Sequence, residues 1–199
     1  MDIDRLYVVK RTLLIDQKNT AERTMNIALP ATFADLAAAK KMAQLLLGKE
    51  GYETDYFSQY DVNNNSPEWK HGDNVIVYAR GPSKELFYVE VETIPDYIGL
   101  QADNKGRVKA PLYHVLQTVV SHRDRSGSRP TSIVRGTHTR SQLAQKQALG
   151  LLLNDHSKAD FDQYEEYSDD KESPFGADVV VHAIKDGDQE IFVSIIPDH

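Results

Sequence analysis

The sequence predicts an α+β protein built as a tandem duplication of one ββαββ unit, with antiparallel sheets and one main helix per repeat. The first observation behind this is internal likeness. "LYVVKRTLLI" from Leu6 shares Leu, Tyr, Val and Thr with "LYHVLQTVVS" from Leu112, 106 positions on, and Leu45-Leu46-Leu47 faces Leu151-Leu152-Leu153 at the same offset. "FSQY" at Phe57 and "FDQY" at Phe161 are 104 apart, as are "GDNVIVYA" at Gly72 and "GADVVVHA" at Gly176; "IPD" at Ile94 and Ile196 are 102 apart. The matches keep their order and the offset only shrinks, as small deletions in the second copy produce; chance scatters offsets. The second observation is the same element pattern in each copy. The third is the polar, glycine-bearing stretch "YIGLQADNKGRVKAP" between them. The boundaries expected are a first repeat over 1–98, a linker over 99–110 and a second repeat over 111–199. A pair descended from a homodimer usually keeps its twofold contact, so the expectation is a pseudo-twofold intramolecular dimer packed as one compact domain.

Each element has a local reason. Leu6–Ile15 is rich in β-branched and aromatic residues and reads as a strand. Tyr7, Val9, Leu13 and Ile15 share one face with Arg11; Leu6, Val8 and Leu14 share the other with Lys10 and Thr12. Both faces are largely apolar, so the strand is expected to be buried on both. A short strand near Thr24–Leu29 follows. "TFADLAAAKKMAQLLLGKEG" then reads as a helix, with Thr32 and Asp35 at cap spacing and Leu36, Ala39, Ala43, Leu46 and Leu47 on one face. Gly48 and Gly51 can end it. In the second copy Thr139 and Gln142 give the cap pattern, and Ala144, Ala148, Leu151 and Leu152 the face. "NVIVYAR" and "ELFYVEVET" around "GPSK" read as a hairpin, and "DVVVHAI" and "QEIFVSII" around "KDGD" as its counterpart.

Bulk composition bounds the function. Net charge is −7, which disfavours wrapping nucleic acid because an acidic surface repels phosphates. Cysteine is absent, which removes disulfides, thiolate metal sites and cysteine nucleophiles. The start, "MDIDRLYVVKR", lacks the order of a secretory signal, and no apolar run approaches the ~20 residues that span a bilayer. A soluble, cytoplasmic, acidic protein is expected, and Asn64-Asn65-Ser66 is read as a polar loop rather than a glycosylation site.

No dinucleotide, P-loop, nucleophile-elbow, zinc-protease or EF-hand motif appears. His114 and His122 share a strand face, but eight residues separate them by roughly 27 Å. His182 replaces Tyr78, and His114 replaces Val8, so imidazoles are not shared by the copies. No metal and no cofactor is expected. The stretch 121–140 carries Arg123, Arg125, Arg129, Arg135 and Arg140 against Asp124 alone. Arginine forks beside a helix start suit a small anion or an acidic partner; a solvated loop is the plainer alternative. The stretch 154–173 is correspondingly acidic and reads as solvated loop, although attraction between the two stretches favours a homo-oligomer.

Polar residues kept in both copies mark a possible pocket: Tyr7 and Tyr113, Thr12 and Thr118, with His114. Gln59 and Tyr60, repeated as Gln163 and Tyr164, are read as pinning a loop to the core. Glu90 and Glu92 share a strand face with Tyr88, and charge on an exposed edge strand explains them better than an acid–base pair. Trp69 is read as a cover for the rim of the core or an anchor for a partner. The function expected is a non-catalytic intracellular binding or interaction protein, with an unknown protein as partner and no membrane. The rival is an enzyme or small-ligand binder holding an anion in a pocket between the repeats.

Overall fold

A computed structural model describes residues 4–16, 23–122, 129–168 and 171–198. The chain divides into two compact units, Met1–Ala110 and Pro111–Asp198. The first holds β1 (Arg5–Asp16), β2 (Arg23–Phe33), α1 (Leu36–Lys49), β3 (Gln59–Val62), β4 (Val75–Arg80) and β5 (Leu86–Pro95). The second repeats the order with β6 (Leu112–Ser121), β7 (Thr131–His138), α2 (Ser141–Gly150), β8 (Gln163–Glu166), β9 (Val179–Lys185) and β10 (Gln189–Asp198). The sheets run β2-β1-β5-β4-β3 and β7-β6-β10-β9-β8, antiparallel throughout. Each is therefore the expected ββαββ pattern with one further short strand between helix and hairpin.

One face of each sheet packs on its helix. In the first unit Val9, Ala31, Val77, Phe87 and Val89 meet Ala39, Ala43, Leu46 and Leu47. In the second, Val115, Val181, Ala183, Ile191 and Val193 meet Ala144, Ala148 and Leu152. The opposite face is buried as well: Leu6, Val8 and Leu14 on β1, and Leu112, His114 and Leu116 on β6. β1 is thus buried on both sides, as its two apolar stripes require. Leu36 departs from the expected helix face and is exposed in the first turn.

The helix starts differ from the expected caps. Asp35 caps α1, its Oδ1 accepting from the Ala38 N–H at 2.7 Å, while Thr32 is a fully buried β2 residue. At α2 the cap position is Arg140, whose side chain makes no capping bond, so Thr139 and Gln142 form no capping box. Within the segment 99–110, the Val108 N–H donates to the Thr32 carbonyl and the Ala34 N–H donates to the Gly106 carbonyl. Gly106 has φ +75°, and a Cβ there would lie 2.9 Å from Asp35 Cβ, so the close approach needs glycine.

The units superimpose by register, with one correction to the sequence match. Thr12 pairs with Tyr88 and Thr118 with Phe192; Tyr78 pairs with Tyr88 and His182 with Phe192. The last strands therefore correspond at an offset of 104, and the two "IPD" triplets stand two residues out of register. Glu90 and Glu92 correspond to Ser194 and Ile196. The bulges repeat too: Ile76 in β4 and Val180 in β9 are each the extra residue opposite the last strand.

Candidate functional site

Polar chemistry gathers on the sheet faces away from the helices. In the first unit Lys10 Nζ lies 3.1 Å from Glu92 Oε2 and 3.6 Å from Glu90 Oε2, with the Lys10 side chain only 6% exposed. The expectation of an exposed edge strand at Glu90 and Glu92 is overturned. β5 is the central strand of its sheet, and Glu90 is buried. Two carboxylates flanking one ammonium make an ion cluster. Lys10 is the member the sequence reading passed over.

Farther along the same face three rings lie in a row. The His71 and Tyr78 rings lie 4.0 Å apart, nearly parallel, and Tyr78 meets Tyr88 at 5.2 Å. His71 Nε2 is 2.9 Å from Asp61 Oδ2, and Trp69 packs edge-on against His71 while its Nε1 donates to the Gly72 carbonyl. Trp69 thus closes the outer side of this stack. Arg80 Nη2 donates to the Tyr78 hydroxyl, and this bond raises the affinity of the guanidinium for its proton.

The second unit keeps the three rings and moves the imidazole. Phe175 takes the place of His71, His182 that of Tyr78 and Phe192 that of Tyr88. Phe175 and His182 are 4.2 Å apart, and His182 and Phe192 5.1 Å. His182 is 3% exposed. Its Nε2 is 2.9 Å from Glu190 Oε1, and the exposed His122 places its own Nε2 3.0 Å from Glu190 Oε2. One carboxylate thus accepts from two imidazoles. His182 Nδ1 is buried with no hydrogen-bond partner among the described residues. An ionised carboxylate only accepts, so Nε2 carries the proton of neutral His182 and Nδ1 presents a lone pair. Beside it, on β8, the Gln163 amide, the Lys171 ammonium and the Tyr167 hydroxyl hold the Glu165 carboxyl below its ordinary range. Glu190 and its two imidazoles went unmatched in the sequence because Leu86, the corresponding residue of the first unit, is apolar.

The sequence-marked residues are dispersed. Tyr7 and Tyr113 pack with the helix-side clusters. Thr12, Thr118 and His114 are buried on the opposite faces, so a sheet separates the tyrosines from the threonines and histidine within each unit. Thr118 Oγ1 bonds Ser132 Oγ at 3.0 Å, and His114 Nδ1 bonds Thr137 Oγ1 at 2.9 Å. Arg123 and Arg125 lie outside the described residues. Arg129 is half-buried ahead of β7, Arg135 sits on β7 with its Nε donating to Gln117 Oε1 at 2.7 Å, and Arg140 is exposed at the start of α2.

The residues repeated in both copies make the same bonds twice. Gln59 Nε2 donates to Asp61 and Gln163 Nε2 to Glu165. The Tyr60 hydroxyl reaches the Gln44 carbonyl and the Tyr164 hydroxyl the Leu149 carbonyl, both at 3.4 Å. Phe57–Tyr60 and Phe161–Tyr164 have the same ring separation, 5.3 Å, and the same tilt, 49°.

No protein-family model, curated protein or solved structure matches the chain. Among the described residues no group of three His, Asp or Glu side chains is placed to hold a metal ion, and no helix is long and apolar enough to cross a membrane.

Proposed function

We propose that this chain is a non-catalytic binding protein of the cytoplasm, which presents its surface to a protein partner. The observation that carries the reading is the use made of the repeated polar residues. Gln59, Tyr60, Gln163 and Tyr164 are engaged in the same internal bonds in both units. What duplication preserved is a scaffold. The polar groups that differ between copies are also tied to one another: Lys10 with Glu90 and Glu92, His122 and His182 with Glu190.

A second reading, an enzyme or binding protein for a small anion, has one observation in its favour. Arg140 stands at the first turn of α2, where α1 has the carboxylate of Asp35, and guanidinium beside a helix start attracts negative charge. Thermal unfolding with inorganic phosphate, nucleotides and dicarboxylates separates the two. A binding scaffold shows no shift with any of them at millimolar concentration. A rise in melting temperature that grows with concentration, as mass action demands, and disappears in Arg140→Ala supports the anion reading and defeats the first.

A further inference from the structure

We propose that His182, Glu190 and Phe175 form an acid-sensitive latch on the turn 173–178 that leads into β9. The turn is made at Gly176, at φ +124°, and is held by bonds within it and by the Ile195 N–H of β10, which donates to the Asp178 carbonyl. The Phe175 N–H donates to Ser173 Oγ, the Gly176 N–H to the Ser173 carbonyl and the Val179 N–H to the Gly176 carbonyl. Phe175 lies against His182 although it is itself 45% exposed. In neutral His182 the arrangement is tolerable: Nε2–H donates to Glu190, and only a lone pair is left at the buried Nδ1.

Acidification across the range in which imidazoles take up protons changes this. The new proton goes to Nδ1, because Nε2 already carries one. The Glu190 carboxylate faces Nε2 and does not reach the new proton. No acceptor among the described residues stands within hydrogen-bond distance of Nδ1, and the tilted rings of Phe175 and Phe192 beside the imidazole offer none. A buried, charged and unpartnered N–H is costly. Displacing Phe175 lets water reach it while the Glu190 pair persists.

The other charged groups around His182 do not relieve Nδ1. His122, from the end of β6, donates to the second Glu190 oxygen. Glu165 is the register partner of His182 on β8, but it is occupied by Gln163, Tyr167 and Lys171. In the first unit the same position is Tyr78, whose hydroxyl has Arg80 as donor, so the latch belongs to the second unit alone.

Limited chymotryptic digestion of the full chain between about pH 8 and about pH 5 tests this, over the range where histidine changes charge. Cutting after Tyr97, which is 79% exposed, corrects for the protease's own pH response. The ratio of cuts after Phe175 to cuts after Tyr97 is expected to rise on acidification, approaching about tenfold per pH unit for one linked proton. It is expected to stay flat in His182→Tyr, a residue the first unit accommodates. A flat ratio in the native protein, or an equal rise in the variant, overturns the latch. Hydrogen exchange in the native protein gives an answer that needs no variant. Protection of the Gly176 and Val179 amides, corrected for intrinsic rates, falls on acidification if the latch exists, and unchanged protection refutes it.

Discussion

Lys10 illustrates what a single residue contributes and why it escaped a reading of the sequence. It occupies a strand position flanked by Val8 and Thr12, on a face that is otherwise largely apolar. Its role depends on Glu90 and Glu92 arriving beside it from a strand some eighty residues later. Spacing along the chain shows that the two carboxylates share a face; it does not show that their strand is central. The second unit has Leu116 at the matching place, buried without charge. Removing one partner of a buried ion pair costs about 3–5 kcal/mol, more than such a pair typically adds over an apolar substitute. Lys10→Met is therefore expected to lower the unfolding free energy by about 3 kcal/mol in urea titration. A loss below about 1 kcal/mol would place the ion cluster among interactions that water screens, like ordinary surface pairs. The pairing of Tyr60 with Tyr164, by contrast, was legible directly, since both follow Phe-x-Gln and both end on a carbonyl of their own unit's helix.

At the scale of elements, strands and helices were legible from periodicity, and their ends were not. β3 and β8 are four residues long, too short to show alternation, and they are defined by pairing with the outer strand of the hairpin, Gln59 opposite Arg80 and Gln163 opposite Ile184. The "IPD" triplets matched in the sequence at a slip of two. A slip of two keeps every side chain on its own face, so pattern reading has no means of detecting it; only the ladder with the first strand does. The turn at Asp186 and Gly187 was readable, because both residues take the positive φ, 55° and 68°, that a type I′ turn needs. The start of α1 was misread by three residues because its cap is supported by a distant segment. Gly106 touches Asp35, and Asp35 caps the helix. Gly106→Ala is expected to strain its own backbone and displace that cap, costing about 2–3 kcal/mol from the left-handed φ and the lost capping bond together. Asp35→Ala is expected to cost about 1 kcal/mol. Thermal denaturation of the two variants separates the contributions, and equal losses would mean that the Gly106 contact adds nothing beyond the cap.

For the molecule as a whole, duplication was the most legible property, since among the described residues ten strands and two α-helices follow one plan twice. What the plan is for was not legible, because the retained residues hold structure and the divergent ones have no counterpart to be read against. The shared plan does set a response to alkali. Burial pushes the Tyr60 and Tyr164 hydroxyls above the ordinary tyrosine range, one in each unit. A raised folded-state pKa means that the folded chain holds those protons longer than the unfolded chain. The associated stability is complete below about pH 10, the usual tyrosine value, and is lost as pH climbs through the folded-state value. Stability measured in urea is expected to decline above about pH 10, and less steeply in Tyr60→Phe and Tyr164→Phe. Identical slopes in all three proteins would show that neither hydroxyl is linked to unfolding. The inverted stack, imidazole over phenol in one unit and phenyl over imidazole in the other, bears on the protein's history. A crossover between the two ring positions, 71–78 in the first copy and 175–182 in the second, would bring two imidazoles together, and the reciprocal product would have none. Either exchange would leave a ring set that neither unit has.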